Sequence, residues 1–124
     1  MPDEGKSSNA TTRIEETGTS DDDNITGAAE NDILSGGAGS DTIKGGQGND
    51  DIEGNFGADV LEGNAGDDII AGGSENDTIK GGLGNDQLQG DAGDEELEGN
   101  SGNDVIRGST GNDVLERNDD NDWL

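Results

Sequence analysis

The chain has 124 residues, of which 31 are acidic and 6 basic, for a formal net charge of −25. Its 24 glycines stand against one proline, no cysteine and no histidine. That balance excludes a basic nucleic-acid-binding face, disulfides and thiolate chemistry, and the histidines on which most acid–base catalysis and zinc binding draw; no apolar run approaches the roughly 20 residues of a membrane span.

Residues 1–17 (MPDEGKSSNATTRIEET) are polar and contain no apolar h-region. They read as a flexible lead-in without a Sec-type signal peptide. From Gly18 onward the glycines fall into a nine-residue register, with units opening at Gly18, Gly27, Gly36, Gly45, Gly54, Gly63, Gly72, Gly81, Gly90, Gly99 and Gly108 and a truncated twelfth at Arg117. The fullest unit is Gly45-Gly46-Gln47-Gly48-Asn49-Asp50-Asp51-Ile52-Glu53, and its residues define positions 1 to 9.

Two columns carry the register. Position 8 is Ile25, Leu34, Ile43, Ile52, Leu61, Ile70, Ile79, Leu88, Leu97, Ile106, Leu115 and Leu124, all aliphatic. Position 6 is Asp in every unit but one: Asp23, Asp32, Asp41, Asp50, Asp59, Asp68, Asp77, Asp86, Asp104, Asp113 and Asp122, with Glu95 as the exception. The glycines let the first half of each unit turn through positive φ without a Cβ clash. The asparagines common at position 5 also tolerate that region. The last three residues of a unit, such as Thr42-Ile43-Lys44, read as a minimal strand with its aliphatic on one face. A helix is excluded, because each interior glycine costs it about 1 kcal/mol.

The unit G-G-x-G-x-D-x-U-x resembles the nonapeptide of the RTX (repeats-in-toxin) calcium-binding family, and the resemblance covers residues 18–124. It implies an all-β fold, a right-handed parallel β-roll of about six 18-residue coils, with calcium between successive turns. Units two apart then stack. One turn column holds Asp32, Asp50, Asp68, Asp86, Asp104 and Asp122, and the other Asp23, Asp41, Asp59, Asp77, Glu95 and Asp113. On one face position 9 reads Thr26, Lys44, Glu62, Lys80, Glu98, Glu116, so that opposite charges become cross-strand neighbours.

The metal ligands expected from the resemblance are the carboxylates of Asp32, Asp41, Asp50, Asp59, Asp68, Asp77, Asp86, Asp104 and Asp113, with the backbone of the glycine turns: Gly36, Gly39, Gly45, Gly48, Gly54, Gly57, Gly63, Gly66, Gly81, Gly84, Gly99 and Gly102. Calcium takes six to eight oxygens, which carboxylates and carbonyls supply, whereas magnesium prefers a small octahedral shell. About eight calcium ions are expected. The cleanest pairs are Asp50/Asp68, Asp68/Asp86, Asp86/Asp104 and Asp41/Asp59. Turns altered by Asp21, Glu30, Glu75, Glu95, Arg117 or Asp120 are expected to be weaker, as are the terminal sites. Acids elsewhere, such as Asp51, Glu53 and Asp67, read as solvated surface.

A metal-free roll of this composition should be unstable, because so few aliphatics must offset the ordering of a long, acidic chain. Binding and folding then form one equilibrium. The expected function is a non-enzymatic calcium-binding module of a secreted bacterial protein. The family implies export by type I secretion machinery as an unfolded chain that folds in extracellular calcium. The family's export signal follows its repeats and this chain stops inside one, so it reads as a fragment or a short open reading frame. A monomer is expected, with no nucleic-acid partner. The competing readings are a β-roll that binds polysaccharide or another surface, for which Lys44 and Lys80 are the available cations, and an acidic disordered linker. Trp123, at position 7, reads as a frayed end in preference to a cap folded over the last coil. No stretch fits the EF-hand loop D-x-[DN]-x-[DN]-G with its distal Glu, the dinucleotide-binding pattern fails because Thr42, Asp51 and Gln87 occupy its final glycine position, and Gly5-Lys6-Ser7 lacks the first glycine of a P-loop.

Overall fold

A computed structural model describes residues 15–118. The readings on Asp120, Asp122, Trp123, Leu124 and the first 14 residues lie outside these described residues. The described chain is built from strands and turns only. In order these are β1 (Glu15–Thr17), β2 (Asn24–Thr26), β3 (Ile33–Gly37), β4 (Thr42–Gln47), β5 (Asp51–Phe56) and β6 (Val60–Ala65). They continue as β7 (Ile69–Ser74), β8 (Thr78–Leu83), β9 (Gln87–Ala92), β10 (Glu96–Ser101), β11 (Val105–Thr110) and β12 (Val114–Glu116).

Alternate strands pair in parallel. The odd strands form one six-stranded sheet, β1-β3-β5-β7-β9-β11, and the even strands a second, β12-β10-β8-β6-β4-β2. Every register step is 18 residues, as in Ile43 opposite Leu61 and Ile52 opposite Ile70. The chain is therefore a β-solenoid of about five turns, each coil contributing one strand to each sheet. Position 8 points inward along its whole length. Ile25, Leu34, Ile43, Ile52, Leu61, Ile70, Ile79, Leu88, Leu97 and Ile106 form one buried file, and Leu115 packs partly buried against it.

Three expectations change. The strands are longer than the three residues read from the sequence. From β4 to β11 each has six and runs through the opening glycine of the next unit, which is buried like the aliphatic two residues before it. Turns shrink to positions 4–6. Glu15–Thr17, assigned above to the lead-in, forms β1, with Glu16 opposite Leu34. Parallel pairing needs only the backbone, so the missing aliphatic at Glu16 hid this strand from the pattern.

The third change concerns position 5. None of its asparagines among the described residues takes positive φ; Asn55, Asn64 and Asn100, all at position 2, do. The position-5 side chains instead bond between coils. Asn49 N–H donates to Asn31 Oδ1, Asp67 N–H to Asn49 Oδ1, Asn85 N–H to Asp67 Oδ1 and Asn103 N–H to Asn85 Oδ1, each at 2.8 Å. Asp67, read as mere surface, is a rung of that ladder.

Candidate metal centre

The position-6 carboxylates stand at the inner edge of the turns, where each reaches back to the backbone of the preceding coil. Asp23, Asp32, Asp41, Asp50, Asp59, Asp68, Asp77, Asp86, Glu95 and Asp104 are all at most 3 % exposed. Asp32 N–H donates to Asp50 Oδ1, Asp50 N–H to Asp68 Oδ1, Asp68 N–H to Asp86 Oδ1 and Asp86 N–H to Asp104 Oδ1, each at 2.8 Å. The opposite turns repeat this from Asp23 through Asp41 and Asp59 to Asp77. Both stacked columns expected from the 18-residue coil are therefore present. Each Asp backbone carbonyl is used as well, as where Ile69 N–H donates to Asp50 O at 2.8 Å.

One carboxylate oxygen per turn is left over. Oδ2 of Asp41, Asp50, Asp59, Asp68, Asp77 and Asp86, and both oxygens of Glu95, are buried without a hydrogen-bond partner. A buried, unpartnered carboxylate oxygen is costly unless a cation faces it. Among the described residues no three acidic side chains converge on one point. Any cation here would thus draw its remaining oxygens from the backbone, a mixture that suits calcium.

The opening glycine of each unit serves close approach. A Cβ on Gly45 would overlap Asp50 Oδ2 and lie 2.9 Å from the Gly63 carbonyl oxygen one coil on. Carboxylate and carbonyl oxygens therefore meet over a bare Cα, and the same arrangement recurs at Gly36, Gly54, Gly63 and Gly81. Position 4 differs: Gly39, Gly48, Gly57, Gly66, Gly84 and Gly102 all take positive φ, and the carbonyls of Gly39, Gly48, Gly66 and Gly84 pack onto the next glycine of the column, Gly66 against Gly48 O for example.

Position 2 decides whether a turn is open. In the units opening at Gly18 and Gly27, position 2 is Thr19 and Ala28, neither with positive φ. There the position-2 N–H folds back onto the carboxylate: Thr19 N–H donates to Asp23 Oδ2 at 2.5 Å and Ala28 N–H to Asp32 Oδ2 at 2.6 Å. From Gly37 on, position 2 takes positive φ in every described unit, as Gly, Asn, Asp or Ser. The N–H no longer meets the carboxylate, and Oδ2 of Asp41 through Asp86 is open. Asp32, expected among the ligands, thus lies in a closed turn. The sequence held this signal in Ala28 and Glu30, but nothing in it said that position 2 rather than position 4 was decisive. Glu75, also an expected weak point, adopts φ 76° and keeps its turn open.

Burial dominates the electrostatics. It pushes the carboxyls of Asp50 and Asp77 up to about 6, and those of Asp59, Asp68, Asp86 and Glu95 up to about 7. The N–H bond from the preceding coil pulls each Asp back down, and neighbouring carboxylates raise it further. On the outer face Lys44 pairs with Glu62 at 3.7 Å and Lys80 with Glu98 at 3.6 Å. The alternation read at position 9 is thus realised, and both lysines considered for an anionic ligand are engaged. No helix among the described residues is long and apolar enough to cross a membrane.

A repeating strand-and-turn coil with an open buried acid in successive turns from Asp41 onward defines a cation-binding solenoid. The model of the RTX calcium-binding nonapeptide repeat, four copies long, matches residues 17–52, 53–88 and 89–124 in succession. The chain belongs to the RTX calcium-binding nonapeptide repeat family, and calcium is accordingly its expected ion. No curated protein matches it.

Proposed function

We propose that calcium folds this chain, and that the roll is the calcium-bound state of a module that is disordered without the ion. The file of buried carboxylate oxygens without partners carries this reading. Asp41, Asp50, Asp59, Asp68, Asp77, Asp86, Asp104 and Asp113 supply the charge, and the glycine-turn carbonyls complete the oxygen set. About eight ions at +2 offset roughly 16 of the 25 net negative charges. The module acts by ordering itself and performs no chemistry of its own. The repeats, with β1 ahead of them, work as one domain in which binding free energy is folding free energy.

The setting we infer is a secreted bacterial protein. Where calcium is scarce the acidic chain stays extended and able to pass type I secretion machinery, and millimolar extracellular calcium then folds it. Far-ultraviolet circular dichroism in chelator, in millimolar calcium and in millimolar magnesium tests the core of the proposal. A β signal that grows with calcium alone supports it; a β signal equal in chelator, or raised equally by magnesium, overturns it.

A further inference from the structure

Glu95 is the one position-6 residue that is not aspartate, and its extra methylene changes more than length. Each interior Asp gives one oxygen to the N–H of the equivalent Asp in the preceding coil. Glu95 does not: no bond joins it to the Asp77 N–H, and the ladder of its column is interrupted there. Both Oε1 and Oε2 are buried without hydrogen-bond partners, on a residue 1 % exposed.

The surroundings of the two oxygens are distinct. Oε1 reaches the position-4 glycine, where a Cβ on Gly93 would overlap both it and the Glu75 carbonyl oxygen. Oε2 stays by the opening glycine, 2.8 Å from where a Gly90 Cβ would stand, with the Gly108 carbonyl oxygen 2.8 Å from the same point. The carboxylate of Asp113, which accepts the Glu95 N–H at 3.0 Å, stands close enough to raise the Glu95 carboxyl, by carboxyl-to-carboxylate hydrogen bonding when one of the two is protonated and as a second charge. Glu75 sits one coil earlier in a left-handed conformation that side chains other than glycine or asparagine rarely adopt.

Resting on the calcium reading above, we propose that Glu95 builds a cation site of a different kind from the Asp sites, engaging calcium through both carboxylate oxygens beside the Asp113 carboxylate and the Glu75 and Gly108 carbonyls. A carboxylate that binds through two oxygens suits calcium, whose shell is large and flexible, and suits magnesium poorly. The site is the tightest and most calcium-selective of the roll, and it lies in its C-terminal half.

Isotope-edited infrared spectroscopy on the full chain labelled with [5-13C]glutamate tests this. Calcium, added to chelated protein, should move a single glutamate carboxylate band to the narrow splitting of two-oxygen coordination. Magnesium should not. The band should be missing in E95Q and retained in D86N, which alters an ordinary aspartate site. In chelator-competition titrations E95D should weaken the first calcium-binding step about tenfold, about 1.4 kcal/mol, because aspartate returns one oxygen to the Asp77 N–H. A calcium-folded chain with no shifted glutamate band, or with that band intact in E95Q, overturns the Glu95 site and leaves the calcium reading standing. An unchanged or tighter first step in E95D overturns it too. Absence of any calcium-specific folding removes both.

Discussion

The Asp50 N–H donates to Asp68 Oδ1 at 2.8 Å, while Oδ2 of the same Asp68 carboxylate has no partner. One side chain thus does two separable things: it caps a backbone donor in the preceding coil and presents a buried charge.

Substituting Asp68 separates the two. In Asp68→Asn the amide oxygen still accepts the Asp50 N–H, but the buried charge is gone. Asp68→Ala loses both, and an unsatisfied buried donor costs about 1–3 kcal/mol. In chelator, Asp68→Asn should therefore gain β structure relative to wild type and Asp68→Ala should lose it. In calcium both should need a higher concentration of the ion for half-folding, Asp68→Ala more so. Circular dichroism over a calcium titration reads this directly. Identical behaviour of the two variants would mean that the inter-coil bond contributes nothing.

Gly45→Ala tests close approach. The new Cβ would overlap Asp50 Oδ2 and lie 2.9 Å from Gly63 O; the first belongs to a buried turn residue and the second to the backbone of β6, and both have little room to yield. Overpacking of this kind costs about 1–3 kcal/mol. The midpoint calcium concentration should rise and the thermal midpoint in calcium should fall. Asp51→Ala, an exposed change in the following strand β5, should stay within about 0.5 kcal/mol of wild type. If Gly45→Ala and Asp51→Ala melt together, the opening glycine has some other purpose.

Ala28 holds the second turn closed, its N–H on Asp32 Oδ2. Ala28→Gly with Glu30→Gly restores the composition of the open turns. The expected result is one additional bound calcium per chain, counted by equilibrium dialysis against a radioactive calcium tracer. An unchanged stoichiometry would refute position 2 as the residue that opens a turn.

The sequence made the fold legible because its two strongest signals are also its two strongest physical constraints. An aliphatic every nine residues must enter the interior, and an Asp two residues earlier must then lie at the turn. What escaped were features that leave no side-chain signature or carry an ambiguous one. β1 sets Glu16 opposite Leu34, where the pattern would have an aliphatic. Asparagine at position 5 looked like a left-handed residue, yet it acts through its amide oxygen, and asparagine at position 2 is the left-handed one. Most of all, the sequence could not separate the two oxygens of a carboxylate. That Oδ1 is bonded and Oδ2 open depends on the direction of the position-2 N–H, which only the backbone of Thr19 and Ala28 reveals by contrast with Gly46 and Asn55.

Acid should partly replace calcium. In the metal-free roll Asp50 and Asp77 titrate at about 6 and Asp59, Asp68, Asp86 and Glu95 at about 7, raised first by burial. In the unfolded chain the same groups titrate near 4. The folded state therefore holds more protons over that interval, and its stability falls as pH rises. The stabilisation is complete below about pH 4, is lost progressively up to about pH 7, and is flat above. In chelator, circular dichroism should show β structure growing as pH is lowered from 8 to 4.5. The gap between calcium-loaded and chelated protein should narrow over the same range, because protons and calcium compete for the same oxygens. Asp68→Asn combined with Asp86→Asn should flatten the chelator curve, since two of the titrating groups are removed. A chelated chain that remains unstructured at pH 4.5, or a double variant with the wild-type slope, would show that burial of these carboxyls does not govern folding.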